Sequence, residues 1–321
     1  MNLSKIVFLR KVSFYTSAVT YLWIFLGGLV RVSGAANSCP EWPTCFGLLF
    51  PPMSIDQIPV GFDIEFYDPM LTWLVFIYKY FGLYVLLSIG FTIVVAFQSV
   101  KYVSKVFFTL LSALLIILLD LWFSLSLVSP ETAPLAITIH YILSLIVASL
   151  LVYVTTQVYL LENPNSEEKS EYPAPSQIMF SFLWAFGIIQ IALGTRVREQ
   201  LEWVSEQLPM LARQEWLAEI GSIGFLHGFT GVVQCIGTWA IGYWILKNSK
   251  KPSKLVSNFM NGVMGLMLAQ ILLGVALFMA GLPAIVQLLH EWGSSLYIGL
   301  ILALYSTFVY KNSNQQHLEN E

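Results

Sequence analysis

Eight apolar stretches recur along this chain, at 13–33, 71–98, 104–128, 133–161, 176–196, 221–246, 256–281 and 283–310. A bilayer core about 30 Å thick needs roughly 20 apolar residues for one helical crossing. Lipid offers no partner to a peptide group, so each stretch is expected to be a helix bonded within itself. The expected fold is all-α, a polytopic membrane protein of eight transmembrane helices. Composition agrees: 57% of residues are hydrophobic and only 11% charged, where a soluble chain has about 25% charged. The net charge of −3 singles out no partner, and there is no basic stripe for nucleic acid.

The first stretch follows Lys5, Arg10 and Lys11 and resembles a secretory signal, with "SGAANS" (Ser33 to Ser38) as a conceivable cleavage site. Its length, and the similar stretches that follow, favour a first membrane span. Between the fourth and fifth spans lies "ENPNSEEKSEYPAPS", polar and rich in proline. This linker, 162–175, divides the chain into an N-terminal half, 1–161, with a long loop at 34–70, and a C-terminal half, 176–321.

Lysine and arginine set the expected orientation. They occur at the N-terminus, after span 2 (Lys101, Lys105) and after span 6 (Lys247, Lys250, Lys251, Lys254), whereas residues 34–70 and "SPETAP" (Ser129 to Pro134) carry none. Arg196, Arg198 and Arg213 after span 5 are the exception. Both termini are therefore expected in the cytoplasm, in a bacterial-type plasma membrane, with residues 34–70 outside.

Two of the chain's three cysteines, Cys39 and Cys45, lie in that outer loop, in "SCPEWPTC". The outer side is oxidising, and Pro40 and Pro43 restrict the loop. This favours a disulfide; two free thiols packed under a lid are the alternative. Cys235, within span 6, reads as a small inert core residue.

The two halves resemble each other. "LGGLVR" (Leu26 to Arg31) matches "LGTRVR" (Leu193 to Arg198), and "FIYKYFG" (Phe76 to Gly82) matches "FLHGFTG" (Phe225 to Gly231). Pro134 and His140 match Pro283 and His290; Tyr78 to His140 spans 62 residues and His227 to His290 spans 63. The order and spacing point to two parallel four-helix repeats related by an axis along the membrane normal.

Of four histidines, His317 lies in the polar tail. His140, His227 and His290 each lie about six to eight residues from the outer end of a span, a depth of roughly 10–12 Å. Ionisable groups at such depth face the bundle interior or a cofactor. His227 and His290, on facing helices, suit axial ligation of a haem. Zinc or copper would want further ligands nearby. In the first half Tyr78 stands at the position of His227, so His140 faces a phenol. Lys79 and Asp120 lie at similar depth and are expected to pair, or Lys79 to meet a haem propionate; a lysine reaching outward is the alternative.

"GGLVRVSGAANSCPEWPTCFGLLFPP" (Gly27 to Pro52) resembles the first-loop signature of the haem A synthase family, and "LGTRVREQ" (Leu193 to Gln200) resembles the end of that family's fifth span. The resemblance runs over nearly the whole chain. It implies oxidation of a methyl group of haem O to the formyl group of haem A. Haem b would be held by His227 and His290, and substrate haem O in the half with His140 and Tyr78. Haem O synthase, cytochrome oxidase assembly proteins and membrane lipid are the implied partners, and the cysteines a redox-active or structural pair near the substrate. The family's second span carries a glutamate, then histidine and arginine, where this chain has Val75, Tyr78 and Lys79; Gly228 stands where arginine often follows the histidine of span 6. With the glutamate position apolar, Asp120 and Lys79 become the candidate catalytic groups. The alternatives are a non-catalytic haem b-binding paralogue for electron transfer or haem handling, and a transporter built on the repeat.

Overall fold

The computed structural model describes residues 3–65, 67–99, 104–126, 133–213 and 215–319. Lys101, residues 129–132 of "SPETAP" and the side chain of His317 lie outside the described residues. Nine α-helices occur among the described residues: α1 (Leu3–Val32), α2 (Pro69–Ser99), α3 (Ser104–Ser126), α4 (Ala133–Glu162), α5 (Ser176–Gln207), α6 (Trp216–Glu219), α7 (Ser222–Asn248), α8 (Lys254–Met279) and α9 (Ala284–Glu319). All except the short α6 are long and apolar enough to cross a membrane. The protein is an integral membrane protein, with no strand among the described residues.

Local chemistry sets several helix ends. Asp68 caps α2, accepting from Leu71 N at 2.9 Å, and Pro69 follows at the first position, where a missing N–H costs nothing. Ser253 caps α8 by accepting from Val256 N. Gly281, at φ 70°, ends α8; the Leu282 N–H then donates back to Leu277 O at 3.1 Å, satisfying a terminal carbonyl.

The expected end of span 5 at 196 is corrected: α5 runs on to Gln207. Arg196 pairs with Glu199, and Arg198 Nε lies 2.6 Å from Glu202 Oε1. Such pairs, one turn apart, stabilise a helix. Arg196 and Arg198 are thus helical, not part of a loop.

In the N-terminal half α1, α2, α3 and α4 pack in a closed ring, and in the C-terminal half α5, α7, α8 and α9 pack in the same order. The first ring closes on Leu9, Val85, Ile89, Leu110 and Leu151, the second on Phe180, Ile245, Met260, Ile298 and Phe308. Large apolar side chains such as Phe14, Phe91, Phe182 and Leu272 point outward, as lipid-facing residues do. The rings meet along α4 and α9, with α1 also against α9. Polar bonds join them there: Gln157 Nε2 donates to Ser306 O at 2.8 Å, and the Tyr141 hydroxyl to Glu291 O at 3.0 Å. Between transmembrane helices such bonds substitute for the missing hydrophobic drive.

Candidate functional site

In the C-terminal half α7 presents His227 and α9 presents His290. Their ring centroids are 6.3 Å apart, with the ring planes at 77°. Both line a cavity of about 740 Å³ with Ile191, Val232, Ile271, Val275 and Phe278. That is the size and apolar character of a site for a large flat ligand. Nε2 of neither histidine has a hydrogen-bond partner among the described residues, whereas both Nδ1 atoms are engaged.

Gln190 of α5 holds His227. Its Nε2 donates to His227 O at 2.7 Å and lies 3.1 Å from Nδ1. Thr230 donates to the Gln190 carbonyl oxygen at 2.6 Å. Gln270 of α8 treats His290 alike: its amide nitrogen donates to His290 O at 2.9 Å and lies 3.2 Å from Nδ1. The residues singled out by the sequence include neither glutamine, although "QIALG" (Gln190 to Gly194) and "QILLG" (Gln270 to Gly274) are there to be read.

The cavity also meets Arg31, Arg198, Gln287 and Glu291. Arg31 reaches it from α1, so the N-terminal half contributes to its wall. Arg31 Nε is buried without a hydrogen bond, with Glu202 Oε1 at 4.0 Å. Arg198 bonds Gln287 and Glu202. Two guanidiniums at the edge of an apolar space suit a ligand with carboxylates.

The N-terminal half brings the corresponding residues together differently. Asp120, on α3, lies with Oδ1 2.8 Å from His140 Nδ1, and its Oδ2 accepts from Ser144 Oγ at 3.1 Å. A carboxylate only accepts, so Nδ1 donates to it. The Tyr78 hydroxyl lies 2.8 Å from that Nε2. Trp23 stacks on Tyr78 at 6.0 Å and sits edge-on to His140 at 5.9 Å. Both nitrogens of His140 are used within the protein. Two ligand atoms on opposite sides of one metal, each at about 2 Å, would stand about 4 Å apart, not the 2.8 Å found here.

The expected pairing of Lys79 with Asp120 is overturned. Asp120 is buried on His140 and Ser144, while Lys79 Nζ donates to Cys39 O at 2.6 Å and to Glu41 O at 2.8 Å. Neighbouring positions on a helix point about 100° apart, so Tyr78 and Lys79 serve different surroundings.

A family model described as cytochrome oxidase assembly protein (COX15-CtaA) matches residues 10–302. The chain belongs to this family. No individual curated protein matches the sequence.

The loop over the N-terminal half of this family member is tied down along α2. Cys39 and Cys45 meet with Cα atoms 5.0 Å apart, in disulfide geometry. Thr72 donates to Ser38 O at 2.9 Å and Tyr80 to Pro43 O at 3.1 Å. Cys45 and Leu48 exchange both backbone bonds around Phe46 and Gly47, at φ 53° and 70°; two positive φ values make this a tight turn suited to glycine. Phe46 packs edge-on against Phe62 and Tyr67. Burial, with Asp56 and Asp68 nearby, raises the Tyr67 phenol above its ordinary pKa, so it remains a donor to Pro52 O. Val75 is 2% exposed and packs in this apolar cap.

Proposed function

We propose that this member of the cytochrome oxidase assembly family is a haem A synthase-like membrane oxidoreductase. Haem b is its resident cofactor and haem O its substrate, oxidised at a methyl group to the formyl group of haem A. The observation that carries the haem reading is the cavity of about 740 Å³ onto which His227 and His290 open with unbonded Nε2 atoms. His227 and His290 would be the axial ligands, and Arg31 and Arg198 would pair with the propionates; the orphaned Arg31 Nε is consistent with that. Bound haem b would supply one-electron storage within the bilayer.

The chain's own residues have separable tasks in this reading. Asp120 holds the His140 proton at Nδ1 and keeps the ring oriented. Lys79 fastens the cysteine loop through two carbonyls. The Cys39–Cys45 disulfide closes that loop on the oxidising face, with both termini in the cytoplasm. The equal ring order of the two halves supports an origin in two parallel four-helix repeats.

One observation favours a second reading, in which the protein holds haem b for electron transfer or haem handling without acting on haem O. Tyr78 closes on His140, and buried Val75 stands where the sequence resemblance implies a carboxylate. Co-expression with a haem O source, followed by pigment extraction and mass analysis, separates the two. Haem A in the extract supports the synthase reading, and haem b alone supports the second. Protein free of haem under both conditions would overturn both.

A further inference from the structure

We infer that the cavity of the C-terminal half is filled sideways from the bilayer, through an opening between α7 and α8 near the end of the bundle that carries Arg31 and Arg198. The ligand class it admits is a flat apolar ring bearing carboxylates. The inference rests on the haem reading of this cavity and goes beyond it, to the route by which the ring arrives.

The wall of the cavity comes to the lipid-facing surface between these two helices. Phe225 of α7 and Phe278 of α8 both line it, yet they are 76% and 68% exposed. Phe225 also stacks at 6.0 Å on Phe229, an exposed residue outside the cavity. Val232 lies two turns along the same edge of α7, and Val275 one turn from Phe278 on α8. Both valines line the cavity and are exposed as well. Packing explains the gap. Residues 249–253 join α7 to α8 at the far end, and toward that end the helices touch. A Cβ on Gly242 would lie 3.0 Å from Met264 Sδ and 3.2 Å from Met260 Sδ. About four turns back along α7, at Gly228, an added Cβ meets nothing within 4 Å. The pair is joined and packed at one end and parted around the cavity at the other.

Entry from the water beyond that end is closed. The extended end of α5 and the segment around α6 bring Leu201, Val204, Ile220 and Leu282 into one buried apolar cluster, with Trp216 and Leu277 packed against it. Leu201, Ile220, Leu277 and Leu282 are also cavity wall, so the cluster roofs the space. The roof is seated tightly on α7: a Cβ on Gly224 would lie 2.6 Å from Ile220 Cδ1. An apolar macrocycle partitions into the bilayer, because taking its surface out of water is favoured by about 25 cal/mol per Å². A side opening lets it pass from lipid to protein without crossing water. Its carboxylates meet Arg31 and Arg198 at the polar edge, while the ring slides between His227 and His290.

The test uses the full chain in lipid nanodiscs, prepared without haem, in a Cys235→Ser background. Phe225→Cys and Phe278→Cys place one thiol on each side of the opening, and a thiol-cleavable bis-maleimide joins them. Haemin is supplied from donor vesicles and its uptake followed by the Soret band. Each single-cysteine variant, treated alike, controls for the adduct and for the reductant. Linked protein should take up haemin about tenfold more slowly than the same protein unlinked, and cleavage of the link should restore the rate. Linked protein that loads at the unlinked rate would overturn the inference while leaving the haem reading intact. A wild-type chain that takes up no haemin would overturn the haem reading and this inference with it. Where the double variant does not fold or does not link, a bimane on Gly228→Cys decides. Nitroxide on lipid tails should quench it strongly and aqueous iodide weakly; the reverse order would overturn entry from the bilayer.

Discussion

The Tyr78 hydroxyl lies 2.8 Å from Nε2 of His140, so these two side chains are bonded to each other, whereas His227 and His290 of the other half face an open cavity. The two halves share helix order and spacing but differ at this point. One half keeps room for a flat ring between two imidazoles; the other has closed on a phenol, an imidazole and a carboxylate. Removing the hydroxyl leaves a partly buried Nε2 without its partner, a cost of about 1 kcal/mol. Tyr78→Phe should lower thermal stability in detergent by that order, with haem content unchanged.

His227→Ala and His290→Ala should each abolish or convert the low-spin haem b spectrum, because each would remove one of the two proposed ligands on the same cavity. His140→Ala should leave that spectrum in place, since both its nitrogens are bonded within the other half. Optical spectra and pyridine haemochrome content of the purified variants check this. Wild-type haem content in both the His227 and His290 variants would end the assignment.

Asp120→Asn should reduce any haem A formation far more than haem b content. The carboxylate orients His140 through Nδ1 and accepts from Ser144, and neither contact reaches the C-terminal cavity. Equal loss of both pigments, measured by mass analysis of extracts, would make Asp120 a folding residue only.

The cysteine loop should be oxidised as isolated. Differential thiol labelling should find Cys39 and Cys45 protected until reduction, with Cys235 the free thiol. A ring this small stabilises by about 2 kcal/mol in the chain-entropy account, so Cys39→Ser should lower thermal stability accordingly. Lys79→Met should leave the disulfide formed but strand two carbonyls, exposing residues 38–45 to protease.

Installing the pattern that the sequence resemblance implies should reopen the first half. Val75→Glu, Tyr78→His and Lys79→Arg together put an imidazole opposite His140 and a carboxylate one turn away. The expected result is a second haem per chain or increased haem A from a haem O-producing host. Unchanged pigment in a folded triple variant would show that more than these positions closes the site.

Much of this protein was legible without coordinates. Apolar runs of bilayer length determine eight helices, because lipid leaves a backbone no other way to satisfy its bonds. Histidines at matching depth on two helices, and cysteines with five residues between them, determine which side chains can meet a metal ring or form a short disulfide. The rotation of each helix about its axis was not legible. Lys79 follows Tyr78 by one position, and only packing decided that Tyr78 turns to His140 while Lys79 turns to the loop carbonyls. The same applies to Asp120, whose partner depended on how α3 lies against α4, and to Gln190 and Gln270. An amide 37 residues from its histidine has no local signature; it becomes a clamp only when close-packed helices bring the two together. The end of α5 at Gln207 belongs here too, because its last three turns rest on ion pairs and on Leu201 and Val204 packing against Ile220 and Leu282, a contact made only in the folded chain.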